Sequence, residues 1–396
     1  MNLIVGQYKI INIVSLIMIL CCMVALPFFP LLSFILSILY LIFISSYNLD
    51  FLRILISLVS YFSLIVILGS KTFHNELDMD LSVYLNVYDY ISVLSLNELW
   101  KGSFIGEPGW VTLYWLLNKF GFHVNGVQLA ILNSFISIAI FVLWFERFGI
   151  KFSDYRYRGI VTASTILFMS VVSFGFLQRQ SISVAILLFA LSNRNNNKFF
   201  LFLILSSFFH LSSLVVGLIY KVFLNRKIND VFWLYFFIFC VSFRLIFPII
   251  ISIILVLLPF PVLTYKLGFY SEITNFQIVS FRIALYGMLF SIVTFFMSCN
   301  LDDFYKNLVR FCSVVFLSML GINLFSERFN FILLYCFGYF ISLMLVRKYF
   351  SIVMVMCLLL LGIFIYEKGV SDLSLDPYWQ RYPYISNSFF YYLSKM

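Results

Sequence analysis

Charge is what this 396-residue chain has least of: Asp, Glu, Lys and Arg make up 11% of it, against 63% hydrophobic residues. Soluble globular chains carry about 25% charged residues, so a soluble enzyme of this length could not cover its surface. The same shortage excludes a disordered chain, a collagen-like fibre and a basic nucleic-acid-binding domain, and no nucleic acid is expected as a partner. Histidine is rare, with three residues in all. There is no P-loop, no Gly-x-Gly-x-x-Gly, no His-Glu-x-x-His and no Cys-x-x-Cys. Asp78-Met79-Asp80 has Asp-x-Asp spacing, but its leucine-rich context reads as a solvated loop pair. ATP-driven transport and metal-dependent sugar-nucleotide transfer therefore have no support, and neither a metal nor a cofactor is expected. Cys21, Cys22, Cys240, Cys312, Cys336 and Cys357 lie in apolar runs without metal-ligand spacing and read as small hydrophobic side chains.

What the chain has in abundance is apolar length. A helix needs about 20 mostly apolar residues to cross the hydrocarbon core. That ruler finds runs near 9–28, 29–47, 51–69, 124–145, 159–177, 180–192, 199–221, 231–258, 279–298, 308–325, 328–346 and 350–366. The runs are continuous rather than alternating, which argues for helices and against a barrel. The expected fold is all-α and polytopic, with about 11–12 transmembrane helices. The first run lacks a small-residue cleavage site and reads as an uncleaved span.

Basic loops set the orientation. Three clusters (Arg147 to Arg158, Lys221 to Lys227, and Arg347-Lys348) are placed inside, which puts 70–122, 259–278 and the tail after Tyr366 outside. The net charge of +9 is mostly this topology signal. No linker or composition shift separates a second domain, so 1–396 reads as one integral membrane domain. Within it, 70–122 and 259–278 are external loops and 367–396 an external or interfacial tail. Between Arg158 and Lys221 three apolar runs join two ends that both look cytoplasmic. One run should then be re-entrant or broken, near Leu177–Gln180 or near Ser206–Ser213. Irregular backbone at membrane depth is tolerated only where it lines a cavity or is buried in protein, so this parity break marks a site.

Ionisable groups within spans are expensive and therefore functional candidates. Arg179 stands between two apolar runs, flanked by Gln178 and Gln180. Its planar fork suits phosphate, whereas the plainer reading is a snorkelling helix end. His210, inside an apolar run and among four serines, is either a packing residue or a base and phosphate donor. Glu327-Arg328 opens a span on the outer side, as a cap or as part of the site, and Arg282 lies at another outer end. Arg244, mid-run, is expected to pair with a carboxylate or a carbonyl. Glu107, in Gly106-Glu107-Pro108-Gly109-Trp110, reads on its own as a solvated loop carboxylate. Trp100, Trp110 and Trp115 read as interfacial aromatics.

Taken in order, these fragments resemble a known family. Asp80 with Tyr84, Glu107-Pro108-Gly109-Trp110, Gln178-Arg179-Gln180-Ser181, Phe209-His210-Leu211-Ser212-Ser213 and Glu327-Arg328-Phe329 are similar to the motifs of the EpsG-type family of Wzy-like polysaccharide polymerases. The chain departs from that pattern at Asp80-Leu81, where the family has Asp-Tyr, and it lacks the preceding Arg-Gly. The resemblance implies a bacterial inner-membrane enzyme with a GT-C-like, metal-independent glycosyltransferase architecture and an active site facing the periplasm. Such an enzyme polymerises O-antigen or capsule repeat units. It transfers a growing glycan from undecaprenyl pyrophosphate to an incoming lipid-linked repeat. Its partners would be undecaprenyl-pyrophosphate-linked oligosaccharides, membrane lipids and a chain-length-regulating co-polymerase. On this reading Arg179 and Arg328, with Arg282 as a third cation, bind the donor pyrophosphate. Each well-placed donor contributes about 3–4 kcal/mol as the sugar–phosphate bond breaks. Glu107 or His210 takes the acceptor proton, and Asp80, Gln178, Gln180, Glu327 and Arg244 support the site. A lipid-linked oligosaccharide flippase and a membrane O-acetyltransferase of the same glycan are the alternatives. The first should show internal repeats; the second needs a cytoplasmic acyl-donor site, and the inner loops are short.

Overall fold

The apolar runs form helices because lipid offers a backbone amide no partner outside its own segment. The computed structural model describes residues 2–369, apart from 48, 69–78, 102–106, 123, 170–173, 175–176, 194, 225, 258–280 and 320–324. The expected loop at 259–278 and the tail after residue 369 lie outside the described residues, as do parts of 70–122. Among the described residues every regular element is helical. The chain is an all-α polytopic membrane protein. Three helices, Asp50–Ile67, Gln128–Phe152 and Tyr335–Ile363, are long and apolar enough to cross a membrane on their own, and several shorter apolar helices accompany them.

Side-chain placement inverts the soluble pattern. Ile13, Leu16, Ile17 and Leu20 form an exposed stripe at helical spacing, as do Leu234, Ile238 and Leu245 farther along. Ser15, Ser33, Ser37, Ser57, Ser60 and Ser63 are instead buried where helices meet. Apolar residues outward and small polar residues at contacts are what lipid selects.

The chain divides into two compact units, Met1–Leu214 with Leu345–Met396, and Val215–Met344. The first contains α1 (Asn2–Ala25), α2 (Pro30–Phe43), α3 (Asp50–Ile67), α4 (Met79–Ser92), α5 (Leu96–Lys101), α6 (Pro108–Lys119), α7 (Gly126–Arg147), α8 (Arg158–Leu167), α9 (Gln178–Ser192) and α10 (Asn196–Phe209). Helices α1, α2 and α3 pack together, and α8 lies on α2 and α3. Gly159 permits the α2–α8 approach: a Cβ there would stand 2.3 Å from the Leu41 carbonyl oxygen. One end of this bundle is tied by charge. Arg53, 3% exposed, donates to both Glu146 oxygens at 2.5 and 2.7 Å and to the Thr162 hydroxyl at 3.1 Å. Asp50 receives Arg53 at 3.3 Å and also pairs with Arg158.

Of the two runs considered for the break between Arg158 and Lys221, 180–192 lies within one uninterrupted helix, α9, and the run 199–221 is the one that is broken. Helix α8 ends at Leu167 and α9 begins only at Gln178. The 199–221 run is interrupted at His210, whose φ of −153° and ψ of 114° are extended rather than helical. Helix α11 (Ser212–Leu224) follows, passing from the first unit's range into the second's.

The second unit holds α12 (Asp230–Leu257), α13 (Phe281–Met297), α14 (Asp303–Ser318) and the first part of α15 (Phe325–Gly369). Among its described residues the buried cation is Arg310, which donates to Ser298 at 3.0 Å, pairs with Asp230 and lies over the Phe295 ring. Arg244, expected to be paired within the membrane, is half-buried and has no ion pair among the described residues. One expectation is corrected outright. The runs 328–346 and 350–366 are a single helix, α15, rather than two spans. Val346-Arg347-Lys348-Tyr349-Phe350 contains neither Gly nor Pro, so nothing there interrupts the helix. Arg347 still sits beside the basic loop, 3.3 Å from the Asp154 carboxylate.

Candidate functional site

Only three residues, 193–195, connect α9 to α10, and Asn195 caps α10 by accepting from the amides of Asn197 and Lys198. The two helices run antiparallel and close together because serines meet between them. The Ser183 hydroxyl donates to the Ser206 carbonyl at 2.9 Å and lies 2.5 Å from the Ser213 hydroxyl. The Ser206 hydroxyl returns a bond to the Ser183 carbonyl at 2.8 Å. At a rise of about 1.5 Å per residue each helix is roughly 21–22 Å long. The start of α9 and the end of α10 therefore come together at the end remote from that connection. Arg179 and His210 are the ionisable residues there.

Glu107 joins them. It is the N-cap residue of α6, with Pro108 in the first helical position, yet its carboxylate does not cap its own helix. Instead, Oε2 accepts from Arg179 Nη1 at 2.5 Å, and Oε1 lies 2.9 Å from His210 Nδ1 and accepts from the Leu211 amide at 3.3 Å. The Leu211 amide opens α11, so the carboxylate sits at that helix's positive end. Both Glu107 and His210 are buried, at 4% and 7% exposure, which overturns the reading of Glu107 as a solvated loop residue.

Arg179 is the open member of the trio, with 36% of its side chain exposed. Its Nε donates to the Tyr84 hydroxyl at 3.1 Å, and its guanidinium lies 5.4 Å from the Tyr84 ring centre and 5.5 Å from that of Trp110. The two rings meet edge to face at 5.6 Å. A cation over aromatic faces is stabilised without further carboxylates, which leaves Nη2 without a hydrogen-bond partner among the described residues. Trp110, expected at the membrane interface, is buried beneath the guanidinium instead. Gln178 is buried too, and neither of its amide atoms has a partner among the described residues. Gln180 is half-buried one position beyond Arg179.

Glu107, Arg179 and His210, separated by 72 and 103 positions from Glu107, thus form one site with Tyr84 and Trp110. Asp80 lies on α4 one turn before Tyr84, Arg282 in α13, and Glu327 and Arg328 in the first turn of α15; their side chains are outside the described set. Tyr84, quoted only as part of a family motif, and Trp110, expected at the interface, are the site residues to which sequence reasoning assigned no role beside Arg179. The signal for Tyr84 was its spacing with Tyr88 on the buried face of α4. The EpsG family profile matches residues 53–386, a stretch that includes every member of this site. The chain belongs to the EpsG family. Membership points to a polysaccharide-polymerase-type, glycosyltransferase-like role in a membrane. No curated protein and no solved structure matches the chain. In this EpsG-family protein the trio offers an anion-binding guanidinium and an imidazole, both oriented by a single buried carboxylate.

Proposed function

We propose that this EpsG-family protein is a glycosyltransferase that polymerises lipid-linked repeat units at the periplasmic face of the bacterial inner membrane, with O-antigen or capsular polysaccharide as its product. The donor is a growing glycan on undecaprenyl pyrophosphate, and the acceptor is a hydroxyl of the incoming lipid-linked repeat. The observation that carries this reading is the Glu107 carboxylate held between Arg179 and His210.

The acceptor oxygen bonds to the anomeric carbon as the bond from that carbon to the pyrophosphate oxygen breaks, and the leaving lipid pyrophosphate carries away the electron pair. Arg179 meets the developing charge with Nη2 and the second hydrogen of Nη1. Asp80, Gln178 and Gln180, which belong to the same unit as Arg179, support the site. A preorganised donor of this kind is worth about 3–4 kcal/mol of transition-state stabilisation. Glu107 already accepts three hydrogen bonds and is the poorer base. It holds the imidazole by Nδ1, and the acceptor proton is taken up at Nε2 of His210.

The depth of the site fits a substrate whose pyrophosphate lies at the bilayer surface. The connection between α9 and α10 contains Arg194, with Lys198 in the first turn of α10, and belongs inside by the basic-loop rule. The trio then lies roughly 20 Å farther along a core about 30 Å thick, toward the outer leaflet.

The test is the surface-glycan ladder of a deletion strain complemented with Arg179→Lys. The lysine keeps the charge and loses both Nε and the fork. Wild-type chain lengths from this variant would remove Arg179 from the mechanism. In the uncomplemented strain, cores bearing a single repeat are the expected pattern; loss of every repeat would make the protein a flippase.

A further inference from the structure

A groove of about 400 Å³ lies within the first unit, where α4, α6 and the start of α7 meet, one helical turn along α4 from Tyr84. Tyr88, Asp89, Ser92, Asn118, Val124 and Gln128 line it, and its size is that of a small-molecule site. Its polar groups have fixed and complementary roles. Asn118 spends its amide hydrogens on the carbonyls of Tyr88 and Tyr114, at 3.0 and 3.3 Å, so Oδ1 is the atom offered to a ligand. Gln128 uses Oε1 to accept from the Asn125 amide at 2.9 Å, which leaves its NH₂ as a donor. Asp89 is exposed and contributes a carboxylate acceptor. The Tyr88 hydroxyl is held by the Phe122 carbonyl at 2.5 Å, so its ring, with Val124, forms a fixed apolar wall.

Among the described residues no Lys or Arg lines this groove, and the one formal charge is negative. Such a surface repels a pyrophosphate. It suits a ligand whose every polar group is both donor and acceptor and whose ring carries apolar C–H faces. That description is of a neutral sugar.

The location adds to the chemistry. Tyr88 is one helical turn from Tyr84, whose hydroxyl touches Arg179; residues so spaced have Cβ atoms about 5–6 Å apart. A continuous ring ladder also links the two places: Tyr88 to Tyr114 at 5.3 Å, Tyr114 to Trp110 at 5.3 Å and Trp110 to Tyr84 at 5.6 Å.

We infer that this groove is a saccharide subsite that holds a sugar ring of the glycan while the anionic end of a substrate is handled at Arg179. The inference rests on the polymerase reading and adds to it a separate surface for the uncharged part of the substrate.

The experiment uses full-length protein in nanodiscs. The probe is the free repeat-unit oligosaccharide released by mild acid from the producing strain's lipid-linked pool, so no pyrophosphate is present. Binding is followed by saturation-transfer NMR and calorimetry. The expected result is saturable binding that Asp89→Ala weakens by about tenfold or more, the loss expected for one hydrogen bond to a charged acceptor, with an unchanged melting temperature because Asp89 is exposed. Arg179→Lys should bind the oligosaccharide as the wild type does. No binding by the wild type, or equal binding by Asp89→Ala, overturns the subsite. The polymerase reading is judged separately, by the glycan ladder of Arg179→Lys.

Discussion

Gly109 lies against the backbone of Phe208: a Cβ at that position would stand 3.0 Å from both the carbonyl carbon and the carbonyl oxygen of Phe208. This contact sets how closely α6 approaches α10. Glu107, two residues before Gly109, reaches His210, two residues after Phe208, across the same contact. Gly109→Ala forces backbone against backbone, with a destabilisation of about 1–3 kcal/mol. It also withdraws the carboxylate from the imidazole by a few tenths of an ångström. Polymerisation should fall by more than the loss of folded protein explains, since displacements on this scale damage aligned sites. Quantifying the glycan ladder against the amount of membrane-inserted variant checks this; normal ladders at normal abundance would mean that the approach does not matter.

The ion pair between Arg179 and Glu107 separates stability from activity. Arg179→Met leaves Glu107, 4% exposed, as a buried carboxylate without its guanidinium. Removing one partner of a fully buried pair costs about 3–5 kcal/mol, and the cost here is smaller because Arg179 is itself 36% exposed and Glu107 keeps His210 and the Leu211 amide. Adding Glu107→Gln removes the stranded charge, so the double variant should melt above Arg179→Met. The coupling expected of contacting residues is about 1–3 kcal/mol. Activity should not return with stability, because the anion-binding group is still missing. Thermal melts in detergent, set beside glycan ladders for both variants, read the two effects independently. Additive melting shifts would contradict the pairing.

These three residues are visible in the sequence because a charge inside or beside an apolar run has no cheap structural reason to be there. Their meeting is less visible. It depends on α9 and α10 folding back on each other through Ser183 and Ser206, and on the absent side chain at Gly109, neither of which has a periodic signature. Trp110 illustrates the limit: a Trp near the end of an external loop fits the interfacial rule, and only the position of Arg179 shows why it is buried. Arg310 was hidden inside an expected span, since its partner Asp230 stands 80 positions away. The merging of two expected spans into α15 shows that a basic pair on its own does not end a helix.

At the opposite end of the first unit's charge pattern, Arg53 carries stability rather than chemistry. Its fork holds both oxygens of Glu146 and ties α3 to α7, while Asp50 and Arg158 extend the tie to α8. Arg53→Ala should lower the detergent melting temperature and the steady-state amount in membranes, by the equivalent of about 1.5–3 kcal/mol for lost hydrogen bonds to a partly buried carboxylate. Protein that survives should still polymerise, because the trio is built from α6, α9 and the α10–α11 break. A loss of activity without a loss of protein would move Arg53 from scaffold to function.

His210 offers the sharpest division between base and scaffold. Its Nδ1 lies 2.9 Å from Glu107, and an asparagine amide places an N–H donor close to the same point. His210→Asn should therefore keep the carboxylate in position, with melting little changed, while losing the nitrogen that accepts the proton. Turnover of lipid-linked repeats by isolated membranes should then fall by about 10²–10⁴-fold, the usual contribution of a positioned general base, with little change in the half-saturating substrate concentration. His210→Phe removes the donor as well and should lose both activity and stability. If His210→Asn instead turned over at near the wild-type rate while His210→Phe did not, the imidazole would serve only to hold Glu107, and the carboxylate would be the group that takes the proton.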